Sequence, residues 1–342
     1  MDTVICEAPG KLVHTQRPRP VRADGEVLVR VRRVGICGTD MHIYKGTQPF
    51  LTYPRVMGHE LSGEVAEAPA GSDLTPGDVV YIMPYMSCGH CAACRKGKGN
   101  CCMNIRVLGV HMDGGLCEYI SVPEGFVFKA TGIGLDEAAM LEFLAIGHHA
   151  VRRAQVQTSQ KEQAGQKALV VGVGPIGIAT ALFAKLKGAE VTVIDSRQPR
   201  IDFCLRELKA DHGVLVGDDT RDQLSQLTGG DFYDVVFDAT GAPKAMEAGF
   251  GYVGHGGTYV LISVVAADIT FYDPEFHKRE TTLMGSRNAT PEDFKGVLAA
   301  MIAGHVPTAA LNTHRAKLSE LPDILPQWIE PSAGVIKALV EC

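Results

Sequence analysis

Several things are missing from this chain of 342 residues, and each absence narrows what it can be. It has no excess of basic charge: 33 Lys and Arg stand against 39 Asp and Glu, a formal net charge of −6. Nucleic acids and anionic membranes attract basic surfaces, so neither is expected as a partner. The N-terminal stretch MDTVICEAPGKLVHTQ has no charged start followed by an apolar run, so no secretory leader is expected. Internal repeats and low-complexity segments are absent. The one long uncharged run, ALVVGVGPIGIATALFA at 168–184, is 17 residues, near the lower limit for a membrane span. Three glycines and a proline interrupt it, which suits a buried strand, a turn and a buried helix better. Hydrophobic residues (46%) and charged residues (21%) match an ordinary globular protein, and the length exceeds one core, so two domains are expected.

Cysteine is plentiful but crowded. Ten cysteines cluster rather than spread as pairs, which in a chain without a leader reads as metal binding in a reducing, cytoplasmic setting. Five fall within SCGHCAACRKGKGNCC (87–102). Cys88, Cys91 and Cys94 have the C-x2-C-x2-C spacing, Cys102 follows after seven residues, and Cys101 is a fifth thiol. Four thiolates close a tetrahedral zinc site and leave no place for substrate, so the lobe reads as structural. Arg95, Lys96, Lys98 and Arg106 raise the alternative of a nucleic-acid zinc ribbon, which the acidic chain argues against. A second set is scattered: Cys37 in ICGTDMH (36–42), with His59 and Glu60 in MGHE (57–60). One thiolate, one imidazole and one carboxylate with an open fourth position describe a catalytic zinc.

The pattern changes along the chain. Up to about residue 147, short β-branched runs such as VLVRVRRVGIC (27–37), ELSGEVAEA (60–68), DVVYIMP (78–84) and GLCEYISVP (115–123) predict a barrel-like β domain. Strand and helix patterns then alternate: KALVV (167–171), IGIATALFAKLKG (176–188), EVTVID (190–195), DVVFDAT (234–240), GTYVLISV (257–264) and TTLMGS (281–286). Alternation predicts a parallel sheet covered on both faces. PEDFKGVLAAMIAGH predicts a helix, and the strand-like VIKALVE is expected to return to the first domain. GVGPIG places Gly172, Gly174 and Gly177 at GxGxxG spacing between a strand and a helix, with Asp195 closing the next strand. There the glycines admit a pyrophosphate at the helix N-terminus, and the acid accepts the adenosine ribose and repels a 2′-phosphate, which predicts NAD over NADP. Arg197 and Arg200 are nearby cations that soften that preference.

GICGTDMH, YPRVMGHE, the cysteine lobe, GVGPIG and Asp195, in this order, resemble the zinc-dependent medium-chain dehydrogenases/reductases, the family of alcohol, sorbitol and threonine dehydrogenases. The resemblance spans essentially the whole chain and implies an α/β protein. A GroES-like β-rich catalytic domain (1–147 and 288–342) would flank a doubly wound parallel Rossmann NAD-binding domain (148–287). It implies two Zn²⁺ per chain, one structural at Cys88, Cys91, Cys94 and Cys102, leaving Cys101 unligated. The catalytic ion would sit at Cys37 and His59, with Glu60 nearby or direct. Where alcohol dehydrogenases carry another cysteine ligand, MLEFLAIGHHA (140–150) has Glu142, as sorbitol-dehydrogenase-like members do, although those usually follow it with Pro and this chain has Phe143. The implied cofactor contacts are Gly172, Gly174, Pro175, Ile176, Gly177, Asp195, Arg200, Thr240 and Ser286. The implied proton relay runs from Thr39 through the cofactor ribose to His42.

GTQPFLTYPRVMGHE (46–60), VLGVHMDGG (107–115) and DPEFHKRETTLMGSRNATPEDF (273–294) further resemble bacterial sugar-acid dehydrogenases of the L-galactonate/L-gulonate 5-dehydrogenase type. The implied reaction is hydride transfer from a secondary alcohol of a small-molecule sugar acid to NAD⁺. Such a substrate brings a carboxylate, for which arginine is suited, so Arg287 is the candidate partner and His111 a second pocket candidate. A homo-oligomer, dimer or tetramer, is implied. Two alternatives stand beside this reading: a neutral-polyol or threonine-type amino-alcohol dehydrogenase, and a non-catalytic zinc- and NAD-binding regulatory protein.

Overall fold

EVLVRVRRVGI, dense in β-branched residues, forms the strand Glu26–Ile36 and buries Val27, Leu28, Val29, Val31, Val34 and Ile36. The computed structural model describes residues 1–49, 51–156 and 165–342, which divide into two units. Glu26–Ile36 organises the first, made of Met1–Phe143, Thr290–Gly304 and Thr308–Cys342. One of its edges pairs antiparallel with Glu60–Glu67. Its other edge is shared: Tyr119–Pro123 pairs with the first half and Lys337–Glu341 with the second. The sheet continues through Val79–Ile82 to Val127–Lys129 on one side and Asn312–Lys317 on the other. Val4, Val27, Leu61, Val80, Leu116, Leu321 and Leu325 belong to its core, each contributing about 1.5–3 kcal/mol by burial. The C-terminal VIKALVE thus lies beside a strand some three hundred positions earlier in the chain.

The pairing sets up a site. Glu60 opens its strand directly opposite Gly35, and a Cβ on Gly35 would lie 2.1 Å from Glu60 Oε2, so only glycine leaves room for that carboxylate. Cys37 follows at the end of Glu26–Ile36, where the chain turns into the helix Gly38–Lys45.

The second unit, Leu144–Ala289 with His305–Pro307, has six strands among its described residues, all parallel. Their order is His212–Leu215, Glu190–Asp195, Lys167–Val171, Tyr233–Asp238, Val253–Leu261 and Thr282–Gly285. Counted within the unit this is 3-2-1-4-5-6, the doubly wound order, whose strand order reverses between Lys167–Val171 and Tyr233–Asp238. Leu169, Val171, Val236 and Tyr259 are among the residues of its core. No helix among the described residues is long and apolar enough to cross a membrane.

Candidate active site and metal centres

The sulfurs of Cys88, Cys91, Cys94 and Cys102 lie within 4.8 Å of one another. Cys91 Sγ is 3.5 Å from Cys94 Sγ and 3.9 Å from Cys102 Sγ. Tetrahedral zinc with Zn–S near 2.3 Å requires sulfurs about 3.8 Å apart, whereas a disulfide requires about 2.05 Å, so the set fits a metal and none of these pairs is a disulfide. Backbone N–H groups of Cys88 and Asn104 donate to Cys102 Sγ at 3.2 and 3.3 Å. Hydrogen bonds from the backbone at Met103 and Cys94 bring the Cys91 pKa down to about 6, as a metal-ligating thiolate needs. Burial and the neighbouring thiols push Cys94 up to about 11. A short 3₁₀ turn, Gly99–Cys101, leaves Cys101 exposed and outside the cluster and turns Cys102 inward.

Donor atoms of Cys37, His59 and Glu60 form a second set within 4.8 Å. Asp40 frames it. This fully buried carboxylate accepts the Cys37 N–H at 2.9 Å and the Gly58 N–H at 3.1 Å, fixing the backbone on both sides of the site. His59 is 4% exposed and its Nδ1 has no hydrogen-bond partner. Burial opposes its protonation, but Asp40, the Cys37 thiol and Glu142 outweigh that and hold its pKa well above the ordinary histidine value. The surroundings therefore call for positive charge, which a divalent cation would supply.

Proximity nominates Glu60 as the third ligand, but its hydrogen bonds point elsewhere. Both Glu60 oxygens bind the Lys337 ammonium at 2.7 Å. Lys337 is itself fully buried, donates to the Ile36 carbonyl at 3.2 Å and lies 4.3 Å from the Phe143 ring centroid. Glu142, by contrast, accepts the Tyr85 hydroxyl on Oε1 and has Oε2 buried without a partner. Burial raises its pKa to about 7, His59 opposing that rise and Glu60 adding to it. A buried, unpartnered carboxylate oxygen costs free energy unless a hydrogen-bond donor or a cation meets it. His59 Nδ1, 3.9 Å from Asp40 Oδ1, and Glu142 Oε2 are thus both left without a hydrogen bond, and by hydrogen bonding Glu142 is the freer of the two carboxylates to take a metal. Thr39 and His42 lie three positions apart on Gly38–Lys45; Thr39 Oγ1 is 3.9 Å from Cys37 Sγ, and exposed His42 bonds Thr47 Oγ1 at 2.9 Å.

In the second unit, Gly172 takes φ +81° after Lys167–Val171, and Gly174 caps the helix Pro175–Leu186, whose first turn holds Pro175 and Ile176. A Cβ on Gly177 would lie 1.9 Å from the Gly172 carbonyl oxygen, so helix and strand meet only because residue 177 is glycine. Asp195 receives the N–H of Val173 and of Arg197, both at 2.9 Å. Arg200 donates to the Val173 carbonyl at 3.1 Å, and burial lowers its pKa to about 10. Both side chains brace the glycine turn. Thr240, packed against Gly172, is fixed by Asp238 Oδ1 through its N–H at 3.0 Å and its hydroxyl at 2.9 Å. Ser286, just past the edge strand, is buried and its hydroxyl has no partner.

The sequence matches the family described as alcohol dehydrogenase GroES-like domain over residues 23–132 and that of zinc-binding dehydrogenase over 175–303. It is 41% identical to L-galactonate-5-dehydrogenase of Escherichia coli K12, over 99% of this chain and 98% of that protein. The chain belongs to the zinc-dependent alcohol dehydrogenase family. A sorbitol dehydrogenase of Halalkalibacterium halodurans is 30% identical over 91% of this chain and 90% of its own. A solved Escherichia coli CFT073 protein, described as a short chain alcohol dehydrogenase complexed with NADH, superposes with a TM-score of 0.92 at 27% identity, covering 100% and 99% of the two chains.

Three residues of this dehydrogenase that frame the mixed site escaped sequence reasoning: Asp40, Tyr85 and Lys337. Asp40 lies inside the GICGTDMH motif, and Lys337 is a cation within the otherwise apolar VIKALV, a signal that could have been used. Tyr85 had none. The two substrate candidates fall in different units. His111 is exposed in the first, its Nδ1 bonded to the Val107 N–H at 3.1 Å. Arg287 is exposed in the second, between Ser286 and Asn288, which has φ +53°.

Proposed function

We propose that this zinc-dependent alcohol dehydrogenase oxidises a secondary alcohol of a sugar acid of the L-galactonate/L-gulonate type with NAD⁺. The observation that carries the substrate class is the 41% identity to L-galactonate-5-dehydrogenase across nearly the full length of both chains. In this reading Cys37, His59 and Glu142 hold the catalytic zinc, and Glu60, neutralised by Lys337, shapes the field around it. Zinc bound there supplies a Lewis acid that lowers the pKa of a substrate hydroxyl. NAD⁺ bound at the second unit supplies the hydride acceptor. The remaining work belongs to the chain. Gly172, Gly174 and Gly177 bring backbone N–H groups and the helix N-terminus to the pyrophosphate, and Asp195 holds the turn while disfavouring a 2′-phosphate. Pro175, Ile176, Arg200, Thr240 and Ser286 complete that site. Thr39 and His42 are the chain's proposed contributions to the proton relay, Thr39 as the hydroxyl at the inner end and exposed His42 as the group that exchanges the proton with water. Arg287 and His111 are the proposed contacts for the substrate's carboxylate and hydroxyls.

The four-thiolate lobe holds the second, structural zinc. The crowding of five of the ten cysteines into one lobe, rather than their spread as disulfide pairs, supports a cytoplasmic location. The open edge strand Thr282–Gly285, with Leu283 exposed, supports assembly into a homo-oligomer. The test is NAD⁺ reduction across aldonates and neutral polyols: turnover on L-galactonate or L-gulonate is expected. Inert aldonates with oxidation of sorbitol or L-threonine would instead establish the polyol or amino-alcohol reading.

A further inference from the structure

Tyr85 belongs to neither metal set, yet it lies between them: its strand leads into the thiolate lobe and its hydroxyl meets Glu142. It sits in the two-residue strand Tyr85–Met86, which pairs with Arg106–Val107; the segment joining those strands is the thiolate lobe. The lobe therefore closes a hairpin whose inner end carries the Tyr85 ring. That ring is buried at 4% exposure and packs edge-on to Phe294, centroids 6.4 Å apart. Its hydroxyl donates to Glu142 Oε1, and the other Glu142 oxygen is buried with no partner. A carboxylate can rotate about its terminal torsion almost freely. With Oε1 pinned, the orientation of Oε2 is set.

We propose that Tyr85 is the positioning residue of the mixed metal site: its hydroxyl fixes Glu142 so that Oε2 is presented as a ligand, and the thiolate lobe holds the hairpin that holds Tyr85. The inference rests on the metal reading given above. It assigns the lobe a second duty besides stability, because loosening the hairpin would misplace a ligand of the other site.

The test uses the full chain loaded with zinc. Metal release to a chromogenic chelator is followed in the wild type, Tyr85→Phe, Glu142→Gln and the double variant. The phase missing from Cys37→Ser is assigned to the mixed site, and the remaining phase to the lobe. Tyr85→Phe keeps the ring and its packing. It is expected to speed the mixed-site phase by about 10–100-fold, the usual effect of removing an outer partner of a metal ligand, and to leave the lobe phase unchanged. In the Glu142→Gln background the same change should have no further effect, because the hydroxyl acts only through that carboxylate. With cobalt in place of zinc, Tyr85→Phe should shift the visible absorption bands of the mixed site. Equal release rates in wild type and Tyr85→Phe, with two equivalents bound, would overturn the proposal and leave the metal reading standing. An undiminished effect in the Glu142→Gln background would overturn it as well. A wild-type chain that binds only one equivalent would overturn both.

Discussion

The thiolate lobe draws its four sulfurs from residues 88–102, whereas the mixed site gathers Cys37, His59 and Glu60 from two separate segments, and in the proposed reading takes Glu142 from a third. In the lobe, backbone N–H groups of a tight turn stabilise thiolates, and two of the four cysteines, Cys88 and Cys94, are partly exposed. Around the mixed site the fixing groups are buried and come from separate segments: Asp40 holds the backbone at Cys37 and Gly58, Lys337 holds Glu60, and Tyr85 holds Glu142. A local site needs only its own loop and can serve as a staple. A distributed site needs the whole unit folded first, which gives unsatisfied donor atoms in a buried, shaped place where an open coordination position is useful. Substitutions should therefore have opposite signatures, stability in one and activity in the other.

The largest expected effect is on the lobe. Cys102→Ser should cost one of two zinc equivalents and lower the melting temperature by on the order of 10 °C, because structural metal binding is folding free energy. Metal analysis and thermal melting check this. Cys37→Ser should do the reverse: on the order of a thousandfold loss of kcat/KM, the lobe zinc retained and the melting temperature little changed. If Cys37→Ser melted as early as Cys102→Ser, the distinction between staple and active centre would fail. Lys337→Met tests the buried charges around the mixed site. It leaves the Glu60 carboxylate, which is fully buried, without its cation, and breaking a buried pair in this way costs about 3–5 kcal/mol. Denaturant unfolding should show that loss while the lobe keeps its zinc.

How much of this was legible in the sequence follows the same divide. C-x2-C-x2-C and GxGxxG are short-range patterns, and the strands and helix around Gly172 stand where their periodicity predicts them. Asp195 was legible as the acid that ends the second strand; that its Oδ2 also accepts the Val173 N–H of the glycine turn and its Oδ1 the Arg197 N–H are backbone contacts no spacing announces. Asn312–Lys317 was not foreseen, because NTHRAK is polar: it is an edge strand, half in water, and lacks the β-branched alternation that betrays central strands. Glu60 and Glu142 were both visible as acids near a metal. Which of them is committed to a lysine depended on Lys337 meeting Glu60 across the strand Glu26–Ile36, a long-range pairing. Tyr85 was unreadable for the same reason: its partner lies 57 positions away on another element.

The smallest expected effect sharpens the comparison most. Cys101 adjoins Cys102, and a flexible lobe could use either thiol. The 3₁₀ turn Gly99–Cys101 instead exposes Cys101, while Cys102 is 2% exposed and accepts two backbone N–H groups. If backbone direction selects the ligand, Cys101→Ser should retain both zinc equivalents, change stability by less than about 0.5 kcal/mol as exposed substitutions do, and remove one rapidly reactive thiol in a native titration. Loss of a zinc equivalent in Cys101→Ser would mean that the lobe's ligands are interchangeable. The lobe would then be a loose chelator that the metal organises, and it could not hold the Tyr85 hairpin rigid.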